Sequence, residues 1–205
     1  EIIKAVKSAI SIHNVADKEI DKRALLAAIA RDQNLEVLGM TNENNSEHEN
    51  DSIQGKLFKC LVLDCDGVLW GGIIGEDGLQ GIEVTSDFLD FQRKVLELKD
   101  RGILLAINSK NNHDDVINVL ENHPAMLLRK QDFVVIKANW NHKASNIKLI
   151  AQELNIGIDS LVFLDDTEEE RMSVSMMLPA VLTPSISLDV SERIAVLNEI
   201  FLKSM

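Results

Sequence analysis

The stretch Leu57-Phe58-Lys59-Cys60-Leu61-Val62-Leu63-Asp64-Cys65-Asp66-Gly67-Val68-Leu69-Trp70-Gly71-Gly72 begins as an apolar run and ends in two carboxylates and glycines. An apolar run of this length reads as a buried strand of a parallel sheet. In such sheets ligands bind just beyond the carboxyl ends of the strands. Asp64 and Asp66 therefore stand at the lip of a sheet, where two carboxylates repel unless a cation or protons separate them. Gly67 lets the chain leave the strand sharply, and Gly71 and Gly72 allow a further tight loop. Alone, the stretch is also a strand followed by an Asp-Gly turn.

Two later stretches repeat the pattern. Gly102-Ile103-Leu104-Leu105-Ala106-Ile107-Asn108-Ser109 is a strand ending in a hydroxyl, and Leu161-Val162-Phe163-Leu164-Asp165-Asp166 is a strand ending in a second carboxylate pair. Between them Lys143 opens a helix. Taken alone, Lys143 is a surface lysine at a helix start, a poor place for a cation beside the positive end of the helix dipole. Asp165 and Asp166 would then be a helix-capping pair, and Ser109 a turn residue. Together the strand tips and the helix start deliver four acids, a hydroxyl and an ammonium. That is the inventory for magnesium-assisted phosphoryl transfer. Asp64, Asp66, Asp165 and Asp166 offer only oxygen ligands, which suit Mg2+ rather than zinc.

The rest of the chain frames this core. At 205 residues with 45% hydrophobic content, one globular domain plus an appendage is expected. Residues 1–40 read as a helical lead-in or the end of a preceding domain, with a helix over Asp21 to Asp32. Residues 41–54 are polar and acidic and read as a linker. Residues 55–205 form the expected catalytic domain. His13 reads as a solvated surface residue, and His48 as an exposed bystander in the linker rather than a metal ligand. The chain opens on Glu1, so a longer protein is expected. A net charge of −12 argues against nucleic acid or an anionic membrane as partner. No apolar run is long enough to cross a bilayer. Cys60 and Cys65 lie on one strand and its exit, ill placed for a disulfide or a zinc site, so reduced thiols in the cytoplasm are expected.

Between the first and second strands, Ile73 to Val84 carries glycines at turn positions and predicts a small hairpin or flap. Its glycine spacing matches neither common phosphate-loop fingerprint. Thr85 or Ser86 then caps a helix through Phe88, Phe91, Val95 and Leu98, which Gly102 ends. Helices are expected over Asp114 to Asn122, from Lys143 towards Gly157, over Glu168 to Met177 and over Val190 to Phe201. Further strands are expected at Phe133 to Ile136 and at Val181-Leu182. A strand, helix, parallel strand order implies right-handed crossovers. The fold class is α/β, a three-layer Rossmann-like parallel sheet. Neither the interval after Trp70 nor that between Ser109 and Lys143 has room for a large cap domain, so the site should be open.

The four motifs, in this order, resemble those of the haloacid dehalogenase-like phosphotransferase superfamily. Asp64-Cys65-Asp66-Gly67-Val68 is similar to the first, Ser109 to the second, Lys143 to the third and Asp165-Asp166 to the fourth. The resemblance implies that Asp64 is the nucleophile forming an aspartyl phosphate and that Asp66 is the general acid and base. It also implies that Lys143 and Ser109 bind the phosphoryl group, and that Asp64, Asp66 (through its backbone carbonyl), Asp165 and Asp166 hold Mg2+.

A finer resemblance, over residues 55–185, is to the FkbH-like subfamily. It rests on Lys59 through Gly78, on Ser109-Lys110-Asn111-Asn112, on Asn139-Trp140-Asn141-His142-Lys143 and on Val162 through Asp166. The tryptophan-glycine flap is its most specific part, and the resemblance implies Trp70 and Gly71 as substrate contacts. It further implies 1,3-bisphosphoglycerate as the phosphorylated substrate. The glyceryl group would be loaded as a thioester on an acyl carrier protein in a polyketide-type pathway. The alternative is a capless phosphatase of a small phosphoester or phosphoprotein.

Two departures stand out. Gly67-Val68 replaces a common Asn-Thr, and Asn108 replaces a cysteine common before the second-motif serine. If an enzyme thiol carries the acyl group, Cys65 is the remaining candidate. Strict strand alternation would instead turn Cys65 away from the acids.

Overall fold

Leu63 of strand β1 (Cys60–Leu63) stands in register with Ile107 of β2 (Leu104–Ser109) on one side and with Leu164 of β4 (Leu161–Leu164) on the other. The next residue of each strand is therefore Asp64, Asn108 or Asp165, and three of the expected strand tips end side by side. β3 (Val135–Ala138) joins the far edge of β2, with Ser109 opposite Ala138. The sheet is parallel, in the order β3-β2-β1-β4. The chain leaves β1 towards β2 and β3, then crosses back to β4 on the other side. Connections run in opposite directions from β1 and β4, so a crevice opens between their carboxyl ends. This computed structural model describes residues 56–187 and 189–203. The expected lead-in over residues 1–40, its helix, the linker over 41–54, and His13 and His48 lie outside the described residues.

Alternation along each strand builds the two cores. Leu61, Leu63, Leu105, Ile107, Val162 and Leu164 face one side. There they meet α2 (Ser86–Asp100), α3 (His113–Asn122) and α6 (Val190–Lys203) through residues such as Phe91, Val119 and Leu197. Cys60, Val62, Ala106, Leu161 and Phe163 face the other side. They meet α4 (Lys143–Leu154) and α5 (Glu168–Met177) through Ile147, Ile150 and Val174. Helices thus cover both faces, the three-layer arrangement expected of strands that are apolar on both sides.

The structure corrects four local expectations. Ile73 to Val84 is not a hairpin: it holds the short helix α1 (Ile74–Gly81), broken at Gly78, where φ is 66°. Antiparallel pairing is confined to the bridge between Gly71 and Glu83 at its base. The helix wins because Asp77 accepts a hydrogen bond from the Ile73 N–H (2.7 Å), closing the first turn, and because Glu76 and Asp77 suit its positive end. Thr85 takes the position before α2, but its hydroxyl makes no capping bond. β3 starts two residues later than expected, after a 3-10 turn over Lys130–Asp132. Val181-Leu182 makes only one bridge, Leu182 with Val162, and no strand. Among the described residues no cap domain follows β1 or β2, and no helix is long and apolar enough to cross a membrane.

Candidate active site

The strand tips and the start of α4 converge on a cleft of about 450 Å³, lined by Asp64, Asp66, Ser109, Lys143, Asp166 and their neighbours. Lys143 is buried although it opens a helix, and its ammonium lies 2.9 Å from Asp64 Oδ2 while also pairing with Asp165. Burial works against that ammonium, but the charges of Asp64 and Asp165 outweigh it and hold its pKa above the ordinary lysine value. The two carboxylates offset the unfavourable helix end as well. Surface placement, the other reading of Lys143, is ruled out by this burial.

The lysine is pinned by a buried amide cluster. Asn108 donates to the Lys143 carbonyl (3.0 Å), and Asn146 donates to Asn108 Oδ1 and Asn139 Oδ1 (3.0 Å each). Asn108, at the tip of β2, thus ties that strand to the first turn of α4. Sequence reading singled out Asn108 only as a missing thiol.

Asp66 is held differently. Its Oδ1 accepts from Trp70 Nε1 (2.7 Å) and from the Ile74 N–H (3.2 Å), and its Oδ2 accepts from Asn111 Nδ2 (2.9 Å). Asn111 also donates to Ser109 Oγ (3.1 Å), coupling the acid to the hydroxyl. The Asp66 carboxylate therefore stands apart from the acidic cluster, and only its backbone carbonyl is left for a metal at that centre. Trp70 is fully buried and Gly71 is bridged to Glu83. Neither lines the cleft, where Gly72 and Ile73 stand instead. The expected substrate contact at Trp70 is corrected accordingly: its indole faces inward and fixes Asp66.

Asp64, Asp165 and Asp166 each place a carboxylate oxygen within 4.8 Å of the others. Asp64 Oδ1 is buried and has no hydrogen-bond partner. An ionised oxygen left so in a low-dielectric site is costly without a counter-charge. Burial first, and then the Asp64 charge, push the Asp165 carboxyl up to about 6, against the pull of Lys143 and the Thr167 N–H. Asp166 is raised by the same two causes, with Arg193 opposing them. Crowded, oxygen-only and short of positive charge, this cluster fits Mg2+.

Two arginines that sequence reading missed brace the acids. Arg171 Nη1 donates to the carbonyls of Asp165 (2.7 Å) and Asp166 (2.8 Å), and Arg193, from α6, donates to the Gly67 carbonyl. Neither has a motif signal, since each acts across long sequence distances or on backbone. Cys65 is fully buried on the core face. Burial, and then the Asp64 charge, raise its thiol pKa well above the ordinary value, despite a hydrogen bond with Ser109. Cys60, mid-strand, is pushed up to about 12 by burial.

Acids at the tips of adjacent parallel strands, a hydroxyl on the next strand and a buried lysine at a helix start form the arrangement that the haloacid dehalogenase-like resemblance implies, and the chain is similar to solved structures with that fold. The particular likeness is to the N-terminal part of the protein BF1531 from Bacteroides fragilis, containing a phosphatase domain and complexed with Mg, which is 41% identical with a TM-score of 0.69. The match covers 74% of this chain and 42% of that one, so the chain spans less than half the length of that relative.

A haloacid dehalogenase-like hydrolase from Streptococcus pneumoniae shares the fold at 12% identity and TM-score 0.50, covering 69% of this chain and 90% of that one. A protein from Listeria monocytogenes does so at 13% and 0.52, covering 68% and 97%. No family model and no curated protein matches the chain.

Proposed function

We propose that the chain is a Mg2+-dependent phosphatase acting on a phosphorylated small molecule through an aspartyl phosphate on Asp64. One observation carries this reading. Asp64 stands at the tip of β1 with one oxygen held by Lys143 and the other buried without a partner, beside two further carboxylates. Asp64, Asp165, Asp166 and the Asp66 carbonyl would hold Mg2+, which when bound supplies positive charge beside the phosphoryl oxygens.

Asp64 attacks phosphorus as its bond to the leaving oxygen breaks. Asp66, oriented by Trp70 and Asn111, gives its proton to that oxygen and later takes one from the water that cleaves the aspartyl phosphate. Lys143 and Ser109 neutralise and hold the phosphoryl oxygens. Among the described residues no cap domain stands over the cleft.

The FkbH-like resemblance supports a finer version, in which the substrate is 1,3-bisphosphoglycerate and the glyceryl group passes to the thiol of an acyl carrier protein. An uncapped cleft favours access by such a partner. With Cys65 buried, the carrier thiol would attack the acyl phosphate directly, forming the thioester and releasing one phosphate, while hydrolysis of the 3-phosphate ester through Asp64 would release the second and leave the glyceryl group.

Phosphate release from small phosphomonoesters tests the main reading. It should require Mg2+, cease in excess chelator, and fall by about a thousandfold or more in Asp64→Asn with an unchanged circular dichroism spectrum. Full activity in folded Asp64→Asn protein would exclude the aspartyl phosphate.

A further inference from the structure

We propose that Lys110 selects substrates carrying a second anionic group beyond the reacting phosphate; this rests on the phosphatase reading above. Two cations line the cleft, Lys143 and Lys110. Lys143 is buried between Asp64 and Asp165, and in the phosphatase reading it serves the reacting phosphoryl group. Lys110 follows Ser109 directly, so the tip of β2 fixes its backbone beside the phosphoryl-binding hydroxyl. Its side chain is 38% exposed and its ammonium is paired with Glu170, which reaches the cleft from the first turn of α5.

The rest of the lining explains why this pair matters. Asp64, Asp66, Asp166 and Glu170 are all acids and the rest of the lining beyond the two lysines is uncharged, so a second negative group on the substrate finds a counter-charge outside the reacting centre only at Lys110. A half-exposed ion pair contributes little and opens readily. A phosphate or carboxylate on the substrate replaces Glu170 on the ammonium with a charge-assisted bond, and Glu170 turns to solvent. A neutral-tailed ester leaves the pair closed and gains nothing from it. Lys110 thereby rewards the doubly anionic substrate, and Glu170 sets how strong the competing anion must be.

The test compares propyl phosphate with 1,3-propanediol bisphosphate as substrates, and propylphosphonate with propane-1,3-bisphosphonate as non-hydrolysable ligands in calorimetry, all at fixed free Mg2+. The readout is the ratio within each pair. In the wild-type protein the doubly anionic member should be preferred by about tenfold, the worth of one charge-assisted bond after Glu170 is displaced. Lys110→Gln should bring both ratios to within about twofold of one, Lys110→Arg should keep them, and Glu170→Gln should raise them. Turnover of both phosphates with a ratio near one, or a ratio unchanged in Lys110→Gln, overturns the proposal. If neither phosphate is turned over, the phosphatase reading falls. The phosphonate ratios then decide the anion site by themselves.

Discussion

A Cβ built on Gly67, which stands at φ 68°, would overlap the Asp166 carboxylate, with Oδ2 nearest and Cγ only 2.6 Å away. The glycine of the first motif is thus moulded against the last acid of the fourth. Both constraints point the same way: a side chain at Gly67 strains the backbone and drives Asp166 out of the metal cluster. Gly67→Ala should therefore lower Mg2+ affinity by about tenfold or more and cost about 1–3 kcal/mol of stability. Calorimetric Mg2+ titration and thermal melts check this. Wild-type affinity in Gly67→Ala would show that Asp166 has room to move.

Trp70 and Asp66 supply the second prediction. The indole N–H is one of three donors on the Asp66 carboxylate, and the ring is buried away from the cleft. Trp70→Phe removes a charge-assisted hydrogen bond, of order 1.5–3 kcal/mol, from the residue proposed as general acid and base. The expected result is a kcat about ten- to a hundredfold lower with KM nearly unchanged. A raised KM with wild-type kcat would mean that Trp70 touches the substrate after all.

Much of this site was legible because strand tips announce themselves. An apolar run that stops at an acid or hydroxyl fixes both a strand and the end at which its ligand lies, so Asp64, Ser109, Asp165 and Asp166 could be located from sequence. Lys143 was legible through its misplacement at a helix start. The supports were not: the resemblance implied Trp70 as a substrate contact, and pattern alone does not say which way an indole points. Arg171 and Arg193 act on the carbonyls of Asp165, Asp166 and Gly67, contacts that no side-chain pattern encodes. The glycines of α1 suggested a hairpin because turn residues and a helix broken at Gly78 share a composition.

The third prediction concerns pH. Asp165 is raised to about 6, by burial first and then by the Asp64 charge. A proton and a cation compete for its oxygens, so Mg2+ affinity should fall as pH drops below about 6 and level off above it, by at most about tenfold per pH unit for this one group. The linked effect on stability has a definite sign. The folded pKa lies above the unfolded value of 3.8, so the metal-free fold binds the extra proton between about pH 4 and 6. The stability contributed by this group is present at the acid end of that window and is lost as pH rises through it. Mg2+ should restore it. Titrations and melts across about pH 4 to 8 check both slopes, and a Mg2+ affinity that stays flat through this range would place the cation elsewhere.

The last prediction separates two routes for an acyl group. A thioester on Cys65 needs a thiolate that the substrate can reach. Cys65 is buried on the core side of β1, and burial and Asp64 both keep its proton on. Lys143 acts in the other direction, and so does the Ser109 hydrogen bond, but both are outweighed. If the chain loads a carrier protein from 1,3-bisphosphoglycerate, Cys65→Ala should therefore still load it within a few-fold of the wild-type rate. Cys60→Ala should do the same, each at a packing cost of about 1 kcal/mol. Intact-mass spectrometry of the carrier reads the gained glyceryl group, and the same measurement on the enzyme should find no acyl adduct. Phosphate release that persists in Cys65→Ala while loading stops would show instead that the β1 exit opens during turnover and that the buried thiol carries the acyl group.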